Sequence, residues 1–479
     1  MLELIPDSAQ AWWTAVVSVF HVVLAIGTSA HAVTARRSSR AAVLWVGLVW
    51  LSPVMGSLLY LMMGVNRLNR KAARLLAPAR LAQIHAPDAS VSAALPPERA
   101  ELGRFLDTVA DRCLTGGNRV FPLESGDETF PAMLAAIERA ERTVSLCTYI
   151  FERDPWGARF VDALAAAHAR GVDVRVLIDG VGALYSLPTI DRDLRARGVP
   201  TARFIWDWRP SRMAVLNLRN HRKIMVVDGA TGFTGGMNLR ASFVRAEAGP
   251  AGNQDLHFKL EGPVVGQLQE IFAIDWAFTT GEQLTGERWF PPLRGDGPLA
   301  ARAIPDGPDE DMDRAKLALL GGLVCARRRV RIATAYFLPD TALIEALGAC
   351  ARRGVKVDVI VPEHSNLPYV NWAMFADLAA VLRHGIGVHL SARPFDHSKF
   401  MIVDDDWCCI GSPNWDARSM RLNFEVLVEV HGAPLARALT HAWEERLARS
   451  RPVTIEEVRA RPAWKQVRDG LFRLGKPYL

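Results

Sequence analysis

A chain of 479 residues is too long for one ordinary hydrophobic core, so its length predicts two globular domains with additional segments. Half of the residues are hydrophobic and fewer than a quarter are charged, which excludes a wholly disordered protein. The net charge of +6 favours an anionic partner such as phospholipid headgroups, nucleic acid or phosphorylated substrates, without choosing among them.

The N-terminal region contains two long uncharged stretches. Residues 12–33 and 41–65 lack Asp, Glu, Lys and Arg, and each is long enough to cross a hydrocarbon core of ~30 Å. We therefore predict a membrane anchor over residues 1–66 with two transmembrane helices, the second of them kinked at Pro53. A cleaved signal peptide is the competing interpretation, but no basic residue precedes Trp12.

The basic residues around these stretches give conflicting indications of sidedness. The larger cluster, which follows the second stretch, places the main body in the cytoplasm, whereas three arginines between the stretches argue the opposite. A re-entrant hairpin is a further alternative. The residues concerned are Arg36, Arg37 and Arg40 in the connection, and Arg67, Arg70, Lys71 and Arg74 after the second stretch.

After a polar linker at residues 67–120, predicted strands and helices alternate, and this pattern occurs twice. A glycine follows each helix where a left-handed cap is expected. The repetition predicts an α/β protein whose two similar halves, residues 121–295 and 296–479, face one another and share one active site. The predicted strand, helix and strand are 142–151, 157–170 and 171–178 in the first copy, and 329–337, 340–352 and 354–361 in the second.

One motif occurs once in each half with identical spacing. A histidine is followed two positions later by a lysine and then by an aspartate and a glycine. Because the histidine and lysine stand two apart at the start of an apolar β run, both side chains leave the same face of the strand. The residues are His221, Lys223, Asp228 and Gly235 in the first half, and His397, Lys399, Asp404 and Gly411 in the second.

This pair of motifs suits phosphodiester exchange. Such a reaction needs a nucleophile, an acid for the departing alkoxide, and positive charge around the phosphoryl oxygens. A lone histidine before an apolar strand is usually a polar edge residue, but two matching copies argue against that interpretation. No HExxH sequence or carboxylate cluster calls for a metal, and the six cysteines lack zinc or disulfide spacing. We therefore expect no metal, no cofactor and reduced thiols.

The duplicated HxKxxxxDxxxxxxG pattern resembles the HKD signature of the phospholipase D superfamily. The resemblance implies two similar α/β halves with a shared active site, and a metal-free reaction through a phosphohistidine. It implies His221 as the nucleophile and His397 as the acid and then the base, or the reverse. The other implied roles are phosphoryl binding by Lys223, Lys399, Asn238 and Asn414, a more structural role for Asp228 and Asp404, and orientation of the histidine rings by Asp255 and Glu425.

Three further segments are similar to bacterial cardiolipin synthases: residues 217–223, 233–236 and 414–419. Asn253 departs from that pattern, because an aromatic residue usually stands two positions before Asp255. The resemblance implies transfer of a phosphatidyl group between two phosphatidylglycerol molecules, which gives cardiolipin and glycerol. The expected partners are phosphatidylglycerol, other anionic phospholipids and the bilayer, with no nucleic acid, and the expected location is the bacterial inner membrane as a multi-pass protein.

Three alternatives stay open at the level of sequence. The nearest is a related membrane enzyme with another donor or acceptor, such as phosphatidylethanolamine, or one that hydrolyses phospholipid. A nuclease of the same superfamily is more remote, since no aromatic platform interleaved with basic residues is evident. The third is a membrane scaffold that has kept the fold and lost activity.

Overall fold

The computed structural model describes residues 7–35, 39–64, 90–205, 217–309 and 311–479. The N-terminal helices belong to one compact unit, and both predicted halves belong to a second unit. The basic residues on which the sidedness prediction rests either lie outside the described residues or have no described side chain.

The first unit begins with a long helix, α1, at Asp7–Ala35. Its segment Gln10–Thr34 is long and apolar enough to cross a membrane. At 1.5 Å per residue such a helix is about 37 Å long, which exceeds the thickness of a hydrocarbon core. The first predicted transmembrane segment is therefore confirmed as one continuous apolar helix.

The second predicted transmembrane segment, residues 41–65, is wrong as a single helix. It forms α2 at Ser39–Leu51 and α3 at Pro53–Leu59, followed by a π-helical turn at Tyr60–Gly64. The break has a local cause, because Pro53 has no N–H to donate and its ring clashes with the preceding turn. The predicted kink at Pro53 is thus confirmed. Within the described residues only Gln10–Thr34 qualifies as a full-length candidate span.

The first half is built on a seven-stranded sheet with the order β2-β10-β8-β7-β3-β4-β5. Its hydrophobic core lies between the sheet and its helices. From residue 90 to residue 280, the strands are β1 Thr115–Gly117, β2 Arg119–Glu124, β3 Thr143–Thr148, β4 Asp173–Asp179, β5 Thr201–Phe204, β6 Arg219–Asn220, β7 Ile224–Val227, β8 Thr231–Gly235, β9 Asn253–Gln254 and β10 Leu256–Glu261. The helices are α4 Ser90–Ala93, α5 Pro97–Ala110, α6 Ser125–Glu138, α7 Pro155–Ala169, α8 Ile190–Ala196, α9 Arg245–Ala248 and α10 Val264–Thr280. Of these, α4, α5 and β1 precede the first half, and β1 belongs to the sheet of the second.

The second half is built on a larger sheet, in which the order β18-β17-β16-β12-β13-β14 repeats the order β10-β8-β7-β3-β4-β5 of the first. The predicted α/β duplication is therefore confirmed. The strands are β11 Gly297–Asp306, β12 Arg329–Ala333, β13 Lys356–Pro362, β14 Gly387–Ser391, β15 Phe395–Asp396, β16 Phe400–Val403, β17 Trp407–Gly411, β18 Asn423–His431 and β19 Ser450–Pro452. The helices are α11 Arg314–Cys325, α12 Thr341–Arg352, α13 Pro368–Leu382, α14 Ala433–Ala448, α15 Ile455–Arg459 and α16 Ala463–Leu474.

Part of the predicted linker, residues 67–120, is folded. Helix α5 packs its apolar side chains into the core of the second half. Arg99 at its start forms ion pairs with Asp404 and Asp406, and Asp107 is bound by the buried Arg302. All six cysteines are free thiols, four of them buried, as the lack of spacing predicts.

Two short strands join the halves. Strand β6, just before the first motif, pairs with the start of β18 in the second half. Strand β15, just before the second motif, pairs with β9 in the first half. Each motif is therefore held against a strand of the opposite half, and this exchange determines the geometry of the site.

Candidate active site

The exchanged strand β6 places His221 beside a carboxylate of the other half. The backbone N–H of His221 donates to the carbonyl of Phe424 at 2.9 Å, so the next residue along β18, Glu425, faces the imidazole. The distances from His221 Nδ1 to the two carboxylate oxygens of Glu425 are 2.9 and 3.0 Å. Glu425 also accepts hydrogen bonds from Ser412 Oγ at 2.5 Å and from Asn423 Nδ2 at 3.0 Å.

His397 has the same arrangement with the halves interchanged. Its backbone N–H donates to the carbonyl of Gln254 at 2.6 Å, and its Nδ1 lies 2.9 Å from Asp255 Oδ2. Asp255 is fully buried, and its Oδ1 has no hydrogen-bond partner among the residues that the structure describes. The predicted orienting residues thus contact the two histidines, but each contacts the histidine of the opposite half.

The two motifs converge on one buried site. Burial lowers the pKa of His397 well below its ordinary value, and the nearby charges of Lys399, Lys223 and His221 lower it further. Burial also lowers the pKa of His221 to about 4, against an opposing effect of Glu425. Groups of both halves therefore share one electrostatic environment, which disfavours the charged form of both imidazoles.

The two lysines lie beside their histidines. Lys223 Nζ donates to the carbonyl of His221 at 2.7 Å, and Lys399 Nζ donates to the carbonyl of His397. Burial lowers the pKa of Lys223 to about 7 and that of Lys399 to about 8. A bound phosphoryl anion would raise both values, because an opposite charge favours the ammonium form. The pair is consequently suited to hold an anion inside the protein.

The predicted asparagines, Asn238 and Asn414, are also buried, each at the end of a turn that begins with the motif glycine. Asn238 Oδ1 accepts the backbone N–H of Ile150 at 3.2 Å. Asn414 is fixed through its own backbone N–H, which donates to Ser419 Oγ at 3.1 Å. The glycines that open these turns, Gly235 and Gly411, have φ values of +151° and +146°, a conformation that L side chains rarely adopt.

The two motif aspartates lie at the far end of the motif strands. Asp228 accepts backbone N–H groups of Glu141, Arg142 and Thr143, at the start of β3. Asp404 does the same for residues 327–329, at the start of β12. Both carboxylates therefore stabilise the junction between the first strand of the repeat and the motif strand.

Sequence reasoning missed the aromatic walls of the site. The ring of Tyr149 lies 5.2 Å from that of His221, and Lys223 Nζ lies 5.6 Å from the centre of the same ring. Tyr336 lies 6.3 Å from His397, which also contacts Phe243 and Phe395. Burial raises the pKa of both phenols. The available signal was a tyrosine just after the first strand of each repeat.

Asn253, the departure from the expected pattern, pairs with Phe395 where β9 meets β15. Its side-chain amide donates to Ser242 Oγ at 3.1 Å. The residue thus lies in β9, the strand of the first half that pairs with β15, two positions before Asp255.

Comparison with known proteins agrees with this geometry. A family model described as cardiolipin synthase, phospholipase D-like domain, matches residues 133–276 and 320–447, one match in each half. In structure, phosphatidylserine synthase from Haemophilus influenzae superposes with a TM-score of 0.60 over 79% of this chain and 100% of its own, at 13% identity. That likeness shows the shared fold. The protein is therefore a two-repeat member of the phospholipase D superfamily, and the resemblance is confirmed.

Proteins of similar sequence indicate which family of the superfamily this chain belongs to. The major cardiolipin synthase ClsA of Bacillus subtilis is 29% identical over 461 residues, which cover 93% of this chain and 95% of that protein. Cardiolipin synthase 2 of Staphylococcus epidermidis is 30% identical over 376 residues, or 76% of this chain and 75% of that protein. This chain belongs to the family of cardiolipin synthases with phospholipase D-like domains.

Proposed function

We propose that the protein is a membrane-bound cardiolipin synthase that transfers a phosphatidyl group from one phosphatidylglycerol to the terminal hydroxyl of a second. The observation that carries the proposal is the exchange of carboxylates between the halves, which puts an oriented imidazole on each side of one lysine-lined site. Membership of the cardiolipin synthase family supports the choice of lipid.

In the first step, Nε2 of one histidine attacks the phosphorus of phosphatidylglycerol and forms a P–N bond. The P–O bond to the headgroup glycerol breaks, and the other histidine donates a proton to the departing alkoxide. In the second step, that histidine removes a proton from the hydroxyl of a second phosphatidylglycerol, whose oxygen displaces the phosphohistidine. The products are cardiolipin and glycerol, and both imidazoles return to their initial state.

The surroundings of the histidines favour His221 as the nucleophile. Glu425 has donors on both oxygens, and its pKa lies below the ordinary value, because His221, Lys223 and Ser412 outweigh the effect of burial. An ionised carboxylate only accepts hydrogen bonds, so Nδ1 of His221 carries the proton and Nε2 presents its lone pair.

In the pair of His397 and Asp255, the pKa of the carboxylate is shifted in the opposite direction. Burial raises the pKa of Asp255 well above its ordinary value, against the effect of Lys399. We propose that Asp255 carries a proton and donates it in a hydrogen bond to Nδ1 of His397, which leaves a hydrogen on Nε2. As Nε2 gives that hydrogen to the departing alkoxide, the proton of Asp255 passes to Nδ1, so the imidazole stays neutral. Two imidazoles with the same motif are therefore poised for different tasks, which is the arrangement that acid and base roles require.

The remaining groups stabilise charge and keep water out. We assign Lys223, Lys399, Asn238 and Asn414 to the phosphoryl oxygens in the transition state. Asp228 and Asp404 act on the fold, because their oxygens are occupied by backbone N–H groups. The buried site and a lipid-bound chain would favour the lipid hydroxyl over water as the acceptor.

The membrane anchor completes the proposal. We assign α1 to a transmembrane helix, and α2 with α3 to a second, kinked passage beside it. Within this unit, Thr28 Oγ1 donates to Ser57 Oγ at 2.9 Å, and His31 Nδ1 lies 2.8 Å from the hydroxyl of Tyr60. Such polar contacts join helices inside a bilayer. A multi-pass location in a bacterial inner membrane and the two domain boundaries at residues 121 and 296 are parts of this proposal.

The test is product analysis with purified full-length protein in vesicles that contain labelled phosphatidylglycerol. Cardiolipin together with glycerol is the expected result, and the His221→Ala variant is the matched control. Phosphatidic acid as the sole product would indicate a hydrolase, and turnover only after addition of phosphatidylethanolamine would indicate a different donor. Nicking of plasmid DNA without metal would indicate the nuclease alternative, and no turnover of any substrate a scaffold.

A further inference from the structure

Helix α16, near the end of the chain, has an apolar row that no part of the described structure covers. Trp464, Val467, Leu471 and Leu474 are 62%, 64%, 62% and 76% exposed. Their spacing of three, four and three residues places them on one face of the helix. A contiguous apolar row in water marks a surface that binds something.

The opposite face of α16 is fixed to the second half. Phe472 packs against Trp372 of α13 with ring centres 4.9 Å apart. The buried Asp469 forms ion pairs of 2.7 Å with both Arg461 and Arg468. The helix is thus docked on the protein by one face, and its apolar row is presented outward from a rigid base.

The charges around the row are basic. Residues 459–476 contain six Lys or Arg residues and one Asp. Four of the six cations form ion pairs with only two carboxylates, Asp469 and Asp377, so the net charge of this surface remains positive. Lys465 and Arg468 lie over the ring of Trp464, at 5.5 and 5.3 Å from its centre, so cations border the apolar row. This combination is typical of helices that lie in the headgroup region of an anionic bilayer. A second copy of the same helix is disfavoured as the partner, because basic flanks would repel one another.

A series of aromatic side chains leads from the helix toward the active site. Phe472 stacks on Tyr369, with ring centres 6.5 Å apart. Burial raises the pKa of Tyr369, and Tyr185 of the first half is close enough for its phenol to raise that pKa further. The ring of Tyr185 lies 6.3 Å from that of Tyr149, which contacts His221. Leu184 and Leu187, on either side of Tyr185, are 40% and 80% exposed. A line of aromatic and apolar side chains therefore runs from α16 to the site.

We infer that α16 lies in the surface of an anionic bilayer, with Trp464, Val467, Leu471 and Leu474 among the acyl chains, and holds the mouth of the site against the lipid. This inference rests on the proposed function, to which it adds the means by which a lipid headgroup enters. The N-terminal anchor retains the chain on the membrane, whereas α16 sets the orientation of the catalytic unit at the surface.

The first test is a fluorescence measurement that does not depend on activity. An environment-sensitive fluorophore is attached to Val467→Cys or, as control, to Val324→Cys, in full-length protein whose Cys113 and Cys325 are serine. Both valines lie on helices of the second half and have nearly equal exposure, 64% and 67%. On transfer from detergent to vesicles of phosphatidylglycerol and phosphatidylcholine, the probe at 467 should shift to the blue, and the probe at 324 should not.

Two outcomes of this measurement would overturn the inference. One is an unchanged spectrum at position 467, and the other is a shift that follows protein concentration rather than phosphatidylglycerol content, which would indicate a second copy of the chain. Because the readout is optical, it remains informative even if the protein makes no cardiolipin.

The second test compares Val467→Asp with Val324→Asp in activity. Val467→Asp should lower turnover of phosphatidylglycerol in vesicles by about tenfold or more, and should leave turnover of the same lipid dispersed in detergent micelles nearly unchanged. Val324→Asp should match the unmodified protein in both assays. Equal activities of the two variants in vesicles would refute the inference, whereas absence of activity in the unmodified protein would refute the proposed function instead.

Discussion

The two halves support the same motif with different side chains. In the first half the residue between histidine and lysine is Arg222, whose buried guanidinium binds Asp275 and the carbonyl of Glu425. In the second half Ser398 occupies that position. The buried guanidinium there belongs to Arg446 of α14, which binds Asp396, Ser398 and Glu124. Duplication has thus kept the backbone and the reacting groups, while the residues behind them have diverged.

This difference extends to the histidines. The carboxylate that faces His221 is hydrogen-bonded on both oxygens, whereas the one that faces His397 has an oxygen without a partner in the described structure. A symmetric backbone therefore carries an asymmetric pair, and an exchange reaction needs asymmetry because one imidazole must attack while the other donates a proton. The histidine, lysine, aspartate and glycine of the motif are the same in both halves. Any difference in role between the two histidines must therefore come from the residues around the motif.

The largest expected effect distinguishes the two histidines. His221→Ala removes the nucleophile and should lower activity by about 10⁴-fold or more, and His397→Ala should lower it by about 10²–10⁴-fold. With a p-nitrophenyl phosphodiester, whose leaving group needs no proton, His397→Ala should recover most of the initial burst and His221→Ala none. Rapid-mixing measurement of nitrophenolate checks this. Recovery in His221→Ala alone would reverse the roles.

The next effect concerns the exchanged carboxylates. Glu425→Gln should lower kcat by about 10²–10³-fold, because the amide no longer fixes the tautomer of His221. Asp255→Asn should cost about tenfold less, since a neutral amide is closer to a protonated Asp255. Steady-state kinetics on phosphatidylglycerol vesicles measure both, with Ser412→Ala as a control that keeps the carboxylate. Equal losses in Glu425→Gln and Asp255→Asn would remove the proposed asymmetry.

The sequence predicts the positions of the strands, helices and motif residues of this site better than it predicts which residues contact one another. Strand, helix and motif positions follow from periodicity and spacing, which are local properties, and the observed β3, α7 and β4 lie close to the predicted 142–151, 157–170 and 171–178. The exchange of Asp255 and Glu425 between the halves depends on β6 and β15, strands of two residues each, which have no periodicity to detect.

Two other features show the same limit. In the apolar run at 41–65 the sequence predicts a kink at Pro53, but it does not show that the run divides there into two separate helices followed by a π-helical turn. The row on α16 did have a helical spacing in the sequence, but its exposure depends on which face packs against α13, a tertiary contact that no local pattern specifies.

A third prediction compares the two guanidinium groups through stability. Arg222→Met removes the buried guanidinium that pairs with Asp275, whose side chain is 1% exposed, and should lower the free energy of unfolding by about 3–5 kcal/mol. Arg446→Met should cost less, about 1–3 kcal/mol, because the side chains of its partners Glu124 and Asp396 are 34% and 9% exposed, against 1% for Asp275, and water can solvate them. Thermal unfolding of the solubilised protein measures the difference, and a larger loss in Arg446→Met would contradict it.

The smallest expected effect separates the two lysines by pH. Burial lowers the pKa of Lys223 to about 7 and that of Lys399 to about 8, so kcat/KM, which reports the free enzyme, should fall as the pH rises through 7 and the ammonium of Lys223 is lost first. Lys223→Arg keeps its charge, so the alkaline limb should move up by about one pH unit, toward that of Lys399. Lys399→Arg should leave the limb where it is.

The limb of kcat should lie higher than that of kcat/KM in all three proteins, because a bound phosphoryl anion stabilises both ammonium groups. A common shift in the two variants would show that the lysines titrate as equals, and the asymmetry of the halves would then be confined to the histidines and their carboxylates.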